Sequence, residues 1–482
     1  MKWLKFLIAG LVVTAAVMVF NPWSLDNDSW YVLAEGREIV NNGVYYEDQL
    51  SMHEGLEVTV QNYGFAAIFY LIYSVFGPVG IYISMLVLNL FLCYLIYKIC
   101  MLLSNKNVNL SLIIAVLTDL LLSRWFVVTR AQMVSYCIIM LVIYLLELYI
   151  KRDNIKCLWW IPVLALLQVN LHASLWPMIL LVVGVYIIDS FGFKKLHLDK
   201  YRTKPLLIVL IMSFLVGFLN PYGYRMMTFI LTSYGVVEAN ETIGELNAFE
   251  PLGDGFSILL YITITVVMTL YIFGKNQNIK MRWLILMFGF LALGLNTVKG
   301  MSHLILVLLF PLAGVYNDVV VGGKYKKWWW MVASWCGVLA VGIVVAVSVV
   351  QIPGIIDGPS EELIEAVNAI DRDINSENKE NLKVYVGYNN GGFLEYRGYK
   401  AYLDPRMEVF LKANNGKEDI FKEWYNLEHG NISKQDFLNK YDFDYLVVTE
   451  PEKLFDLSEQ YRMINESNGD DGDKVRVYVK NG

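Results

Sequence analysis

Apolar runs long enough to cross a bilayer recur along nearly the whole of this chain, and they restrict it to a mainly α-helical, polytopic membrane fold. The runs lie near 4–20, 79–103, 108–123, 131–150, 157–169, 173–190, 205–219, 256–274, 281–296, 303–318 and 328–350. They predict about eleven spans, several of them short for a bilayer. A chain that is 56% hydrophobic and 17% charged lies outside the soluble range. One further run, 63–77, is treated differently. At about 1.5 Å per residue it would reach only about 22 Å of a hydrocarbon core about 30 Å thick.

Lysine and arginine assign the sides. Alternate loops carry Lys106, then Lys151, Arg152 and Lys156, then Lys194, Lys195, Lys200, Arg202 and Lys204. Lys275, Lys280 and Arg282 follow, then Lys324, Lys326 and Lys327. Those loops and the amino terminus are expected in the cytoplasm. The alternation holds only if 63–77 stays on the outer side, as a helix lying in the interface or re-entering from it. The first loop (21–62), the turns at 170–173 and 297–302, the loop 220–255 and the tail from 351 then share the outer side. The opening run, basic at Lys2 and Lys5, continues to Phe20 without a clear cleavage site and is expected to be a retained helix.

The chain thus divides into a transmembrane domain, 1–350, and an extracytoplasmic α/β domain, 351–482. In the latter Glu361–Ile374 and 417–428 read as helices, and 382–387, Tyr445–Val448 and Val475–Val479 as strands. Pro353-Gly354 and Gly358-Pro359 punctuate the linker. A net charge of −6 without a basic patch excludes nucleic-acid binding. The five cysteines fall in apolar runs, so no disulfide framework is expected.

Polar residues gather on the outer side. Asp26 and Asp28, one residue apart at the mouth of the first span, could act on an acceptor as general base. Asp26, nearer the membrane, is favoured. Asp48 and His53 could join them on a divalent cation, and Glu245 could face the same site. Solvated acids flanking a span are the plainer alternative. Arg130, His172 and Lys299 could together hold a lipid phosphate, although any one of them could equally snorkel to headgroups. Asp119, within an apolar run, needs a partner, for which Arg124 is a candidate. In the tail, Gly391-Gly392 marks a tight turn, and Asp404-Pro405-Arg406 a loop that could cover a cleft, or ordinary turn chemistry.

Taken in order, these stretches resemble a family. Asp26-Asn-Asp-Ser-Trp-Tyr-Val-Leu-Ala-Glu-Gly36, then Gly43 and Asp48-Gln-Leu-Ser51, resemble the first outer loop of bacterial GT-C-type membrane glycosyltransferases. That superfamily includes the protein O-mannosyltransferases, the aminoarabinose transferases and the catalytic subunit of oligosaccharyltransferase. The likeness is closest to large bacterial members with D-x-D-x-W-W-H-L-x-x-G followed by D-x-x-S. Arg130-Ala-Gln132 resembles their R-P-Q, Asn170-Leu-His172 their N-L-H, and Asn220-Pro-Tyr-Gly223 their N-P-x-G. Gly391-Gly-Phe-Leu394 resembles their G-G-Y-L and Asp404-Pro-Arg406 their D-x-R. The resemblance implies a GT-C fold, a catalytic acid in the first outer loop, a sugar on a polyprenyl phosphate as donor, and an interfacial helix at 63–77. Trp30-Tyr31-Val32 stands where relatives have Trp-Trp-His, and Asn62-Tyr63 where many have Glu-Trp. The missing carboxylate favours a metal-independent mechanism.

The expectation is therefore a cell-envelope glycosyltransferase that moves a sugar from a polyprenyl-phosphate donor to a glycan, lipid or protein acceptor. Membrane lipid is a partner and nucleic acid is not. No cofactor is assigned, and Mg or Mn are the metals the acidic positions could take. Two alternatives stand beside it: a non-catalytic glycan-binding or scaffold membrane protein, and a lipid-linked glycan transporter. A transporter would have inverted repeats and mid-membrane charges, which this sequence does not display.

Overall fold

A computed structural model describes residues 2–20, 25–191, 201–233, 235–248, 263, 266–267, 280–314, 359–374, 379–449, 460–468 and 474–481. The spans expected at 328–350 and, for all but three positions, at 256–274 lie outside the described residues, as do the end of 303–318 and most of the linker. The chain divides into two units. The first comprises Met1–Pro22, Ile83–Asn220 and Asn240–Pro353; the second comprises Trp23–Tyr82, Pro221–Ala239 and Gly354–Gly482.

The first eight α-helices are α1 (Lys2–Phe20), α2 (Asn27–Asn42), α3 (Tyr63–Leu103), α4 (Val108–Trp125), α5 (Gln132–Arg152), α6 (Trp160–Leu171), α7 (Trp176–Ser190) and α8 (Thr203–Leu215). Among the described residues, three helical stretches are long and apolar enough to cross a membrane: Tyr63–Leu103, Gln132–Arg152 and Ala173–Ser190. Six shorter apolar stretches accompany them. α3 is not one straight rod. Gly77, at φ 62° and ψ −161°, interrupts it in a conformation only glycine adopts readily, and Pro78 follows.

The first unit is helical and wears its apolar side chains outward. Leu7 and Leu11 on α1, Val87 and Phe91 on α3, Leu117 on α4 and Ile211 on α8 are exposed. Apolar surface of this extent needs a lipid solvent, so this is a membrane protein. Its interior holds one dense polar knot. The guanidinium of Arg282 donates to Glu147 Oε1 (2.6 Å) and Oε2 (3.1 Å) and to Asp189 Oδ2 (3.0 Å). Tyr186 completes Glu147 (2.9 Å) and Tyr201 completes Asp189 (2.8 Å). All three charged side chains are fully buried. Arg282, expected in a cytoplasmic loop, thus joins α5, α7 and the helix Met281–Asn296. The described partners of Asp119 are Asn89 (3.3 Å) and Ser123 (3.5 Å).

The second unit is built on a five-stranded sheet: β1 (Lys383–Val386), β2 (Lys400–Ala401), β3 (Tyr445–Thr449), β4 (Tyr461–Asn468) and β5 (Lys474–Lys480). The order is β2-β1-β3-β5-β4, with β1 parallel to both neighbours and β5 antiparallel to β3 and β4. The helix Glu361–Asp373 packs on β4 and β5 through Leu363, Ala366, Val367 and Ile370, one stripe of an amphipathic pattern. Ser360 caps it by accepting from Leu363 N (3.3 Å), and Glu361 and Glu362 complement its dipole. The expected strands and helices of the tail are present; β2, β4 and the helix Lys434–Tyr441 are additional.

Residues 21–62, expected as a loop, contain a helix. α2 packs closely against the helix Gly391–Tyr396, and the glycines explain how. A Cβ on Gly391 would overlap the Leu403 carbonyl, and one on Gly392 would come 2.7 Å from Tyr31 N. Gly391-Gly392 is therefore the tight start of a helix with ordinary right-handed angles at Gly391 (φ −58°, ψ −42°), not a turn. The segment after α2 continues the sheet edge, where Met52 N donates to Ala401 O (2.9 Å).

Candidate functional site

In the second unit Asp26 is the N-cap of α2. Its Oδ1 accepts from Ser29 N (2.9 Å) and from Ser29 Oγ (2.6 Å), which meets a backbone N–H that the helix start leaves without an intrahelical partner. Asp28 lies in the first turn, where the helix dipole favours a carboxylate, and is half-buried. It lies near Tyr388: burial first, and then the charges of Asp28, Glu408 and Asp404, push the Tyr388 phenol up. The two aspartates have separated roles. Asp26 holds the helix end, and Asp28 presents a carboxylate from it.

Asp48, Asp404 and Arg406 come together, and two acids the sequence reasoning missed join them. Arg406 donates to Asp404 through Nε (2.9 Å) and Nη2 (2.7 Å), and to Asp48 through Nη1 (2.8 Å). Glu35 lies 3.8 Å and Glu395 3.5 Å from the same guanidinium. One cation among four buried carboxylates cannot balance them all, so protons make up the difference. Burial pushes Glu35 up to about 8 against the pull of Arg406. Burial and the neighbouring Asp404 hold Glu395 well above the carboxylate range. For Asp48 burial is outweighed by Arg406 and by the Ser51 hydrogen bonds, and its pKa falls. The Asp404-Pro-Arg406 loop is thus a buried fastener that ties Glu35 and Asp48 to Glu395. Glu35, between Ala34 and Gly36 on the buried face of α2, carried no local signal of this partner.

His53 also serves the fastening. Its Nε2 meets the Tyr402 carbonyl (2.8 Å) within a ring of Tyr402, Phe410 and Tyr441, and burial lowers its pKa.

In the first unit Arg130, Glu245, Lys299 and His172 form a second constellation. Arg130 Nη1 donates to Glu245 Oε1 (2.8 Å), and Lys299 Nζ lies 3.6 Å from Glu245 Oε2. The three side chains are 24%, 44% and 43% exposed, so an incoming anion can reach the cations. Two short turns present this group. Glu245 rides on Gly244–Leu246 and Lys299 on Val298–Gly300, joined by Val298 N donating to Asn247 O (3.0 Å). His172 ends α6, and both ring nitrogens are engaged, Nδ1 with Ser135 Oγ (2.8 Å) and Nε2 with Ser174 Oγ (2.9 Å). Its packing, then Lys299 and His303, lower its pKa, so the ring is neutral beside the cations. It orients and donates or accepts a hydrogen bond; it adds no charge.

The expected metal ligands are differently occupied. Asp48 pairs with Arg406, His53 with a carbonyl, and Glu245 with Arg130. Among the described residues no three His, Cys, Asp or Glu side chains gather to hold an ion. These donors do not fit a Mg or Mn site.

No protein family matches the sequence, and no curated protein matches it. Solved structures do. The chain is similar to the archaeal oligosaccharyltransferase AglB from Archaeoglobus fulgidus, in complex with an inhibitory peptide and a dolichol-phosphate, at a TM-score of 0.52 and 13% identity, covering 92% of this chain and 69% of that one. It is similar also to the apo form of the Archaeoglobus fulgidus oligosaccharyltransferase, at 0.53 and 11% identity, over 93% of this chain and 69% of that one. The fold is AglB-like.

Proposed function

We propose that the chain is an integral-membrane glycosyltransferase that moves a sugar from a polyprenyl-phosphate donor to an acceptor at the outer face of the membrane. The observation that carries this reading is the reachable cation pair, Arg130 and Lys299, gathered on one carboxylate within an AglB-like fold. AglB is found with a dolichol-phosphate, which has the same phosphate on the same class of lipid. In this reading residues 1–350 form about eleven spans with a cytoplasmic amino terminus. Residues 351–482 lie outside, and 63–77 is the interfacial helix, ended by the break at Gly77.

The acceptor's nucleophile attacks the anomeric carbon as the bond from that carbon to the phosphate oxygen breaks, with inversion. The phosphate departs with the electron pair, and Arg130 and Lys299 stabilise its growing charge, while His172, held through both ring nitrogens by Ser135 and Ser174, fixes the turn it stands on. Asp28 accepts the acceptor's proton. It is preferred to Asp26, whose Oδ1 is committed to the cap.

The test measures sugar release from a panel of labelled polyprenyl-phosphate sugars by the full chain in nanodiscs. Asp28→Asn should lower transfer roughly 100- to 10,000-fold, the range of a lost general base. Asp26→Ala should act mainly through stability, by about 1 kcal/mol. A double Asp26→Asn/Asp28→Asn variant that still transfers sugar at the parental rate overturns the assignment.

A further inference from the structure

At the end of the first unit marked by its basic loops, an apolar groove of about 210 Å³ runs between the α6 region and the start of α8. Leu158, Trp159, Ile208 and Val209 wall it, and Arg202 and Lys204 stand in its lining. Trp159 is 48% exposed and its neighbour Trp160 62%, while Ile208 is 39% exposed, so the groove opens outward. Among the described residues the cations outnumber their carboxylate. Asp153 lies 3.6 Å from Arg202, both about two-thirds exposed, and Lys204 is exposed as well. The backbone beneath is fixed: Tyr149 Oη donates to Arg202 O (2.9 Å) and accepts from Arg202 N (3.1 Å).

We propose that this groove binds an anionic phospholipid, its phosphate against Arg202 and Lys204 and one acyl chain along the apolar wall. Each half of the site argues for one half of the ligand. A free phosphate would gain nothing from the apolar wall and would leave the exposed faces of Trp159 and Ile208 uncovered. A zwitterionic lipid would bring its own cation to a place where cations are already in excess. Exposed tryptophans beside arginine and lysine are the side chains that settle at the headgroup boundary. The site is separate from Arg130, Lys299 and Glu245 in sequence and lining, and it does not rest on the glycosyltransferase reading.

The test uses the full chain in detergent, with native mass spectrometry against dioleoyl-phosphatidylglycerol and dioleoyl-phosphatidylcholine at equal concentration. Phosphatidylglycerol should be retained in preference. Arg202→Gln/Lys204→Gln should reduce its retention roughly 20- to 30-fold, as expected for two cations at a lipid surface, with phosphatidylcholine unchanged. Ile208→Trp, which fills the groove and keeps both charges, should also lose phosphatidylglycerol. Size-exclusion profiles establish that both variants remain folded. As a separate readout, a brominated-chain phosphatidylglycerol should quench the fluorescence that Trp159→Phe removes. Equal retention of the two lipids overturns the proposal, as does undiminished phosphatidylglycerol binding by either variant. Displacement of the lipid by millimolar inorganic phosphate alone would make this a plain anion site and overturn it too.

Discussion

Glu35 shows how a side chain far from any chemistry can set the behaviour of a whole unit. Its carboxyl titrates near 8 when folded and in the ordinary range when unfolded, so the folded state binds the extra proton between those values. The stabilisation is complete below the unfolded pKa and is lost as the pH rises towards 8. Asp48 works the other way, stabilising above its unfolded pKa and losing that contribution as the pH falls through its lowered folded value. Thermal unfolding should therefore show a decline from about pH 5 to pH 8 of a few kcal/mol in order of magnitude. Glu35→Gln should make it shallower, leaving the share that Glu395 contributes, and an unchanged slope in that variant would place the titration elsewhere. Arg282 is the corresponding residue of the helical unit. Arg282→Met strands Glu147 and Asp189 together, and should cost about 3–5 kcal/mol, read as a lower detergent melting temperature. Replacing all three residues with apolar ones should recover much of that loss.

Among the elements, the helix Gly391–Tyr396 depends on two missing side chains, Gly392 where it meets α2 at Tyr31 and Gly391 where it meets the Leu403 backbone. Gly391→Ala sets a methyl group against the Leu403 backbone, which cannot swing aside as a flexible side chain would. The expected cost is about 1–3 kcal/mol of overpacking, seen as a fall in melting temperature and faster proteolysis at 23–62. Elements of this kind divide sharply in how legible they are from sequence. Strands β3 and β5 and the helix Glu361–Asp373 declare themselves, since alternation or a 3.6-residue stripe is local. α2 does not, because its polar residues read as a loop beside a membrane span. An aspartate before a helical run is nonetheless an N-cap signal, and Asp26 carried it. The Gly-Gly pair looked like a turn because close backbone approach leaves the same trace in sequence as a positive φ.

For the whole molecule, apolar length and the basic loops indicated a membrane protein, and the motif order indicated the fold. Arg130, Lys299 and Glu245 were grouped by the side on which their loops fall, and the structure brings all three together. The buried set around Arg406 was not legible as a set. Glu35 and Glu395 look like any surface acid until the partner is in place, and nothing local announces a partner 358 residues away, the separation between Asp48 and Arg406. That separation has a consequence in time. At ribosomal rates of about 5–20 residues per second, Asp48 precedes Arg406 by on the order of 20–70 s. During that interval Ile83–Asn220 and Asn240–Pro353 of the helical unit are made, while residues 23–82 await the rest of their unit. The second unit is completed last, from 23–82, 221–239 and the residues from 354 on. A chain ended at residue 400 should therefore leave 23–62 protease-sensitive while Glu147, Asp189 and Arg282 still pair, and pulse-chase proteolysis of the full chain should show 23–62 becoming protected only after synthesis passes Arg406.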